Sequence, residues 1–275
     1  MISGVSIMLQ YVLIISESGI NLVKYASPKY EDFEINEQLF SGLLTAIKQM
    51  GDSIVKKSLD MISFGDYDLY YLERDRLIVV LIPRPELDKK RIPLILNGII
   101  DDFETQFGNF DPTIDMFQSF RERIKMYEYR EELYNEAIKV AKNFPEGVVG
   151  VARKKLEELE KEFSMEDAQK LIHDFGLFVG LRIKNKKDRV ETLDWALNEI
   201  SVAEIKKGMV ILDICPFCRG RHTHISVCNF ATGLIEGILS DQDPSEILSH
   251  EQCKVKYVET YCKAKGDPTC TFIES

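Results

Sequence analysis

A chain of 275 residues with 45% hydrophobic and 29% charged content is long enough to bury one large core or two ordinary ones. Its net charge of -10 argues against a general nucleic-acid or anionic-membrane surface, because binding phosphates depends on a positive field that this composition lacks. No stretch approaches the roughly 20 consecutive apolar residues that cross a bilayer, and the opening MISGVSIMLQYVLIIS has neither a basic leader nor a small-residue cleavage site, so the expected location is cytoplasmic. In chain order, Tyr11–Ile15 is a β-rich apolar run, Ser16–Gly19 is turn chemistry, and Ile20–Tyr25 alternates apolar with polar, which predicts a hairpin. Leu39, Leu43, Leu44, Ile47 and Met50 form a helical stripe with Asn36 as its N-cap. Three strands are predicted at Leu59–Phe64, Asp68–Glu73 and Leu77–Ile82, and a helix at Ile92–Phe107.

The order β-β-α-β-β-β-α resembles the longin fold, and SESGINLVKY followed by LFSGLLTAI is similar to the longin and roadblock-like domains that partner small GTPases. This part of the chain holds no His and no Cys, and its carboxylates scatter over turns and helix faces, so no catalytic constellation is read there. The stretch GNFDPTIDMFQSF at 108–120 reads as a connector, which divides the chain into a first domain at 1–118 and a second at 119–275. In the second, helices are predicted at Arg121–Phe144, at Gly150–Phe163 and from Ser164, where Ser164 and Asp167 approximate a capping box. Phe175–Ile183 reads as a strand and Ala203–Lys207 as a helix, before an apolar strand at Val210–Ile214. The fold class expected is therefore α+β in two domains, each with an antiparallel sheet and helices.

All six cysteines lie in the final quarter: Cys215, Cys218, Cys228, Cys253, Cys262 and Cys270. With no secretion signal, a reducing compartment turns the reading from disulfides toward metal or redox chemistry. Cys215-Pro216-Phe217-Cys218 is a C-x-x-C knuckle, whose spacing lets two thiolates face one cation. Further on, a strand ending at Glu259 delivers Cys262, a turn at Gly266-Asp267 reverses the chain, and Cys270 returns on the next strand. A metal held tetrahedrally by that pair needs two more ligands, for which Glu259 and Cys228 are the natural candidates. The same residues are also compatible with a reduced, buried pair of free thiols.

The run Glu259, Cys262, Ala264, Gly266, Asp267, Cys270 and Phe272, preceded by Cys228-Asn-Phe-Ala-Thr-Gly233, resembles the ending of the 4-vinyl-reductase domain. The likeness covers about residues 121–275, from a Leu-Tyr-x-x-Ala helix at Leu133–Ala137 onward, with the sharp motifs in the last fifty. It implies a fold like the core subunits of TRAPP vesicle-tethering complexes. It also implies a zinc ion on Cys228, Glu259, Cys262 and Cys270 beside an apolar ligand pocket, as in phenol-sensing activators that share the domain. No ATPase or helix-turn-helix accompanies it in these residues. The chain departs from that pattern by adding Cys215, Cys218, Cys253, His222 and His224, which form a second metal site, serve as alternative ligands, act as a redox dithiol, or are plain strand residues.

The expectation is a non-enzymatic zinc-containing regulator or adaptor with no catalytic residues. It would sense a hydrophobic small molecule, or work as a homodimer or with a longin- or GTPase-type partner. The competing class is a cysteine-based redox or reductase-type enzyme, against which stands the absence of a G-x-G-x-x-G dinucleotide fingerprint.

Overall fold

A computed structural model describes residues 8–28, 42, 61–65, 67–108, 117–184, 188–218 and 228–275. The helix expected at residues 36–50 (Gly42 apart), His222 and His224 lie outside the described residues. Two compact units emerge, Met1–Glu132 and Leu133–Ser275. The architecture is α+β, with one antiparallel sheet of five strands and another of four.

The first unit is built on the predicted hairpin, β1 (Leu9–Ser16) and β2 (Asn21–Ala26), followed by β3 (Met61–Phe64), β4 (Tyr67–Arg74) and β5 (Leu77–Pro83). The spatial order is β2-β1-β5-β4-β3. Central β1 and β5 are buried along nearly their whole length, which is why both read as continuous apolar runs. Helix α1 (Ile92–Phe107) starts with Pro at its first turn and buries Ile95, Ile99 and Phe103. Phe103, Phe107, Phe117 and Phe120 then close an aromatic cluster with ring centroids between 4.8 and 6.0 Å apart. The unit's deeply buried polar groups include the following pairs. Arg91 and Glu131, both with fully buried side chains, meet through two N–H···O bonds of 2.7 Å. Tyr25 donates to Glu128, which also accepts from Ser27 at 3.2 Å.

Helix α2 (Arg121–Lys142) follows, and the division between units falls within it, beyond the 108–120 connector. The second unit continues with α3 (Val148–Glu162), α4 (Met165–Ile183), α5 (Arg189–Ile200), the hairpin β6 (Ala203–Lys206) and β7 (Met209–Leu212), α6 (Asn229–Leu239), and the hairpin β8 (Tyr257–Tyr261) and β9 (Cys270–Glu274). Its sheet order is β6-β7-β9-β8.

Two expected elements change type here. Phe175–Ile183 is the second half of α4 and not a strand. Every residue from Leu171 to Leu181 except His173 is buried, so the helix is apolar nearly all round and lost the 3.6-residue signal that distinguishes helix from buried strand. Ala203–Lys206 is a strand and not a helix. Its residues alternate between half-buried and exposed, and Gly208, at φ 69°, makes the turn that pairs it with β7. Helix α5, capped by Asp188 accepting from the Glu191 N–H at 2.9 Å, was not foreseen.

The decisive packing is between α4 and α6. A Cβ placed on Gly176 would stand 2.1 Å from the Phe230 carbonyl oxygen, and one on Gly233 would stand 2.1 Å from the His173 carbonyl oxygen. Only glycine permits backbones this close, and the contact fixes where α6 begins.

Candidate metal centre

Each sulfur that converges in the second unit comes from the end of an element. Strand β7 pairs Leu212 with Cys270 at the start of β9, so the chain leaving β7 carries Cys215 and Cys218 past that cysteine. Cys228 is the N-cap residue of α6. On β8, an irregularity between Glu259 and Tyr261 ends the regular register with β9, and Cys262 follows. The turn between β8 and β9 is fixed locally: Gly266 is left-handed at φ 99°, and the Asp267 carboxylate accepts from the Cys262 N–H at 2.8 Å. Glu236 of α6, itself buried, accepts from the Tyr257 N–H at 2.9 Å and so ties the helix that starts at Cys228 to the strand that carries Glu259.

One ligand atom from each of Cys218, Cys228, Glu259, Cys262 and Cys270 lies within 4.8 Å of all the others. Cys218 Sγ is 2.7 Å from Cys228 Sγ, 3.4 Å from Cys270 Sγ and 3.5 Å from Cys262 Sγ, and Cys228 Sγ is 3.6 Å from Cys270 Sγ. Four sulfurs bound tetrahedrally at about 2.3 Å would stand about 3.8 Å apart, so the cluster is gathered at the scale of one ion. Cys215 lies at its margin, 3.2 Å from Cys228 Sγ. None of the six cysteines is joined in a disulfide, and all are buried.

The electrostatics are those of a site that could hold a cation. Both carboxylate oxygens of Glu259 are buried with no hydrogen-bond partner among the described residues, and burial pushes this acid up to about 8. Among the thiols, hydrogen bonds with Cys215 and its neighbours push Cys218 and Cys228 far above the ordinary range. Hydrogen bonds from Cys215, Cys218 and Cys228 hold Cys270 far below it, with the Lys263 N–H adding a further one at 3.3 Å. Left to itself, the cluster tolerates few negative charges. A divalent cation reverses this, stabilising several thiolates and supplying the partner that the Glu259 oxygens lack. The residues present therefore fit a thiolate-preferring metal ion.

The four ligands expected together, Cys228, Glu259, Cys262 and Cys270, are brought together. Of the residues set aside for a second site, Cys218 joins this same cluster and Cys215 touches it. Cys253 does neither; it packs with Leu177, Leu181 and Ile247, where burial pushes its thiol up. That the knuckle joins the hairpin in one cluster was among the alternatives the sequence left open, and the structure selects it for Cys218. Its signal lay in the knuckle following a strand directly, but the pairing of that strand with β9 is long-range. His173 bonds Glu236 at 2.9 Å and stacks on His250 at 4.2 Å. His250 in turn bonds the buried Asp174 at 2.6 Å. Trp195 stands 43% exposed against Phe144, whereas Phe175 and Phe178 are fully buried.

Comparison with models of known protein families finds no match, and comparison with curated proteins finds none either. Among the described residues, no helix is long and apolar enough to cross a membrane.

Proposed function

We propose that this chain is a non-enzymatic, zinc-containing regulatory or adaptor protein. The second unit holds zinc as a structural ion, and the first is the docking module, for a second copy of the chain or a GTPase-type partner. The observation that carries the reading is the convergence of four thiols and one carboxylate, with ligand atoms all within 4.8 Å. Zinc suits it because thiolate-rich, four-coordinate sites are the common structural use of that ion, and a site closed by protein ligands leaves no position for substrate or water. The resemblance of the Glu259-to-Phe272 stretch to the 4-vinyl-reductase ending supports a small hydrophobic molecule as what the second unit senses, and a TRAPP-like assembly as the setting in which the two units work. That support is by analogy of pattern alone.

Native mass spectrometry with metal analysis, on the intact chain and on Cys262→Ser, tests the proposal. One zinc per chain, lost in the variant, is the expected result, with subunit count and any retained apolar ligand read from the same spectra. A chain purified under reducing conditions that takes up no zinc would overturn the reading, and a bound flavin or nicotinamide would replace it with a reductase.

A further inference from the structure

The sheet of the second unit has two faces, and the candidate metal centre lies on only one of them. Val210, Leu212, Cys270 and Phe272 belong to the inner face and are buried. An antiparallel sheet covered on one side ordinarily turns polar residues to water on the other. Here the outer face is largely apolar. The pairing registers define it as two rows running across all four strands. Lys206, Met209, Ile273 and Val258 stand side by side in one row, and Glu204, Ile211, Thr271 and Tyr261 in the other. The irregularity between Glu259 and Tyr261 is what returns Tyr261 to the face of Val258. Val258 is 53% exposed, Tyr261 54% and Ile273 40%, so neighbouring strands share an open apolar surface.

The order of residues along the rows identifies the occupant. The rows carry one charge of each sign in a chain whose net charge is -10, so they offer no field to a strongly charged partner. Those charges end the two rows on the same strand: Lys206 and Glu204 both lie on β6, paired at 2.9 Å. A two-fold axis parallel to the rows lays each row over the other row of a second copy. Lys206 then meets Glu204 of the second copy and Glu204 meets its Lys206, which closes a ring of four alternating charges. Ile273 lies over the smaller Thr271, and Val258 over the larger Tyr261, so volume matches as well as charge. Twisted sheets stack in this aligned manner about 10 Å apart, with strands within about 30° of each other. We infer that this outer face is where a second copy of the chain docks, sheet on sheet, about a two-fold axis parallel to the rows. The inference goes beyond the function proposed above: it is independent of the metal, and it adds a self-docking face in the second unit to the docking module of the first.

The test measures the mass of the purified full chain by analytical ultracentrifugation over a micromolar concentration series. The parent should be a dimer. Glu204→Lys and Lys206→Glu each turn the ring into four like charges, and each alone should raise the dimer dissociation constant about tenfold or more. Mixing these two variants in equal amounts should restore the dimer, because one then supplies two positive side chains and the other two negative ones. Ile273→Glu should leave a monomer. The side chains of Lys206 and Glu204 are 52% and 56% exposed, so the charge variants report on assembly without disturbing the core. A parent that stays monomeric throughout the series would overturn the inference. So would weakened charge variants that mixing fails to restore. A dimer left unchanged by all three substitutions would show that copies meet elsewhere, which overturns this inference while the proposed function stands.

Discussion

A buried site in one unit and a buried site in the other treat their polar groups in opposite ways. In the first, the Arg91 guanidinium meets Glu131 through two bonds of 2.7 Å, and Glu128 is held by Tyr25 and Ser27, so the buried charge and its partner arrive together with the fold. In the second, Glu259 and the thiols around Cys228 crowd groups of one sign together and leave both Glu259 oxygens without a donor. A burial that supplies its own counter-charge needs nothing further. A burial that gathers only anions and anion precursors implies a cation from outside. All six cysteines fall in the second unit.

Stripping the proposed metal should break this comparison most forcefully. Binding of structural zinc is worth about 10–16 kcal/mol in small metal-dependent domains, so a strong chelator should abolish cooperative unfolding of Leu133–Ser275 while the transition of the first unit persists. Hydrogen exchange resolved by segment distinguishes the two, and equal loss of protection in both would show that the units do not differ as argued. Next in size, Glu131→Ala should destabilise the first unit by about 3–5 kcal/mol, the cost of leaving a buried guanidinium without its partner, with zinc content unchanged. Gly176→Ala should cost the second unit about 1–3 kcal/mol by forcing a methyl into the Phe230 backbone. It should also weaken zinc binding, because the helix that starts at Cys228 must shift; denaturant midpoints and a competitive chelator titration read the two effects. The smallest effect concerns pH. Burial holds the Glu128 acid above its ordinary value of 4.5, so the folded state keeps this proton more tightly than the unfolded state does. Its contribution to stability is fully present below pH 4.5 and is lost as pH rises through the folded value. Glu128→Gln, which cannot ionise, should therefore show a shallower fall in stability over that window, measured by urea midpoints at stepped pH.

Much of the candidate centre could be read along the chain. Glu259, Cys262, Gly266, Asp267 and Cys270 belong to one hairpin, and a hairpin brings its own ends together by local turn chemistry. Cys228 entered the same set as a natural further ligand to that pair, and the resemblance of its surrounding stretch to a known pattern implied the same. The knuckle was legible as a pair of thiols whose place in this centre stayed open, because nothing near Cys215 or Cys218 states which strand lies beside β7. The misread Phe175–Ile183 has a similar origin: an unbroken apolar run is shared by a buried strand and a buried helix, and only the facing glycines of α4 and α6 distinguish them.

The sequence by itself determined the division into an α+β chain with a cysteine-free first part and a thiol-rich last part, the two hairpins that open and close it, and the chemistry available to the centre. These follow from composition, alternation and turn residues, which act over a few positions. Tertiary structure alone decided that the knuckle and the hairpin share one centre, that Cys253 is core, and that Glu259 is buried without a donor. Each of those depends on which distant segments pack together, and that choice is made by the whole core at once and is not carried by any single stretch of the chain.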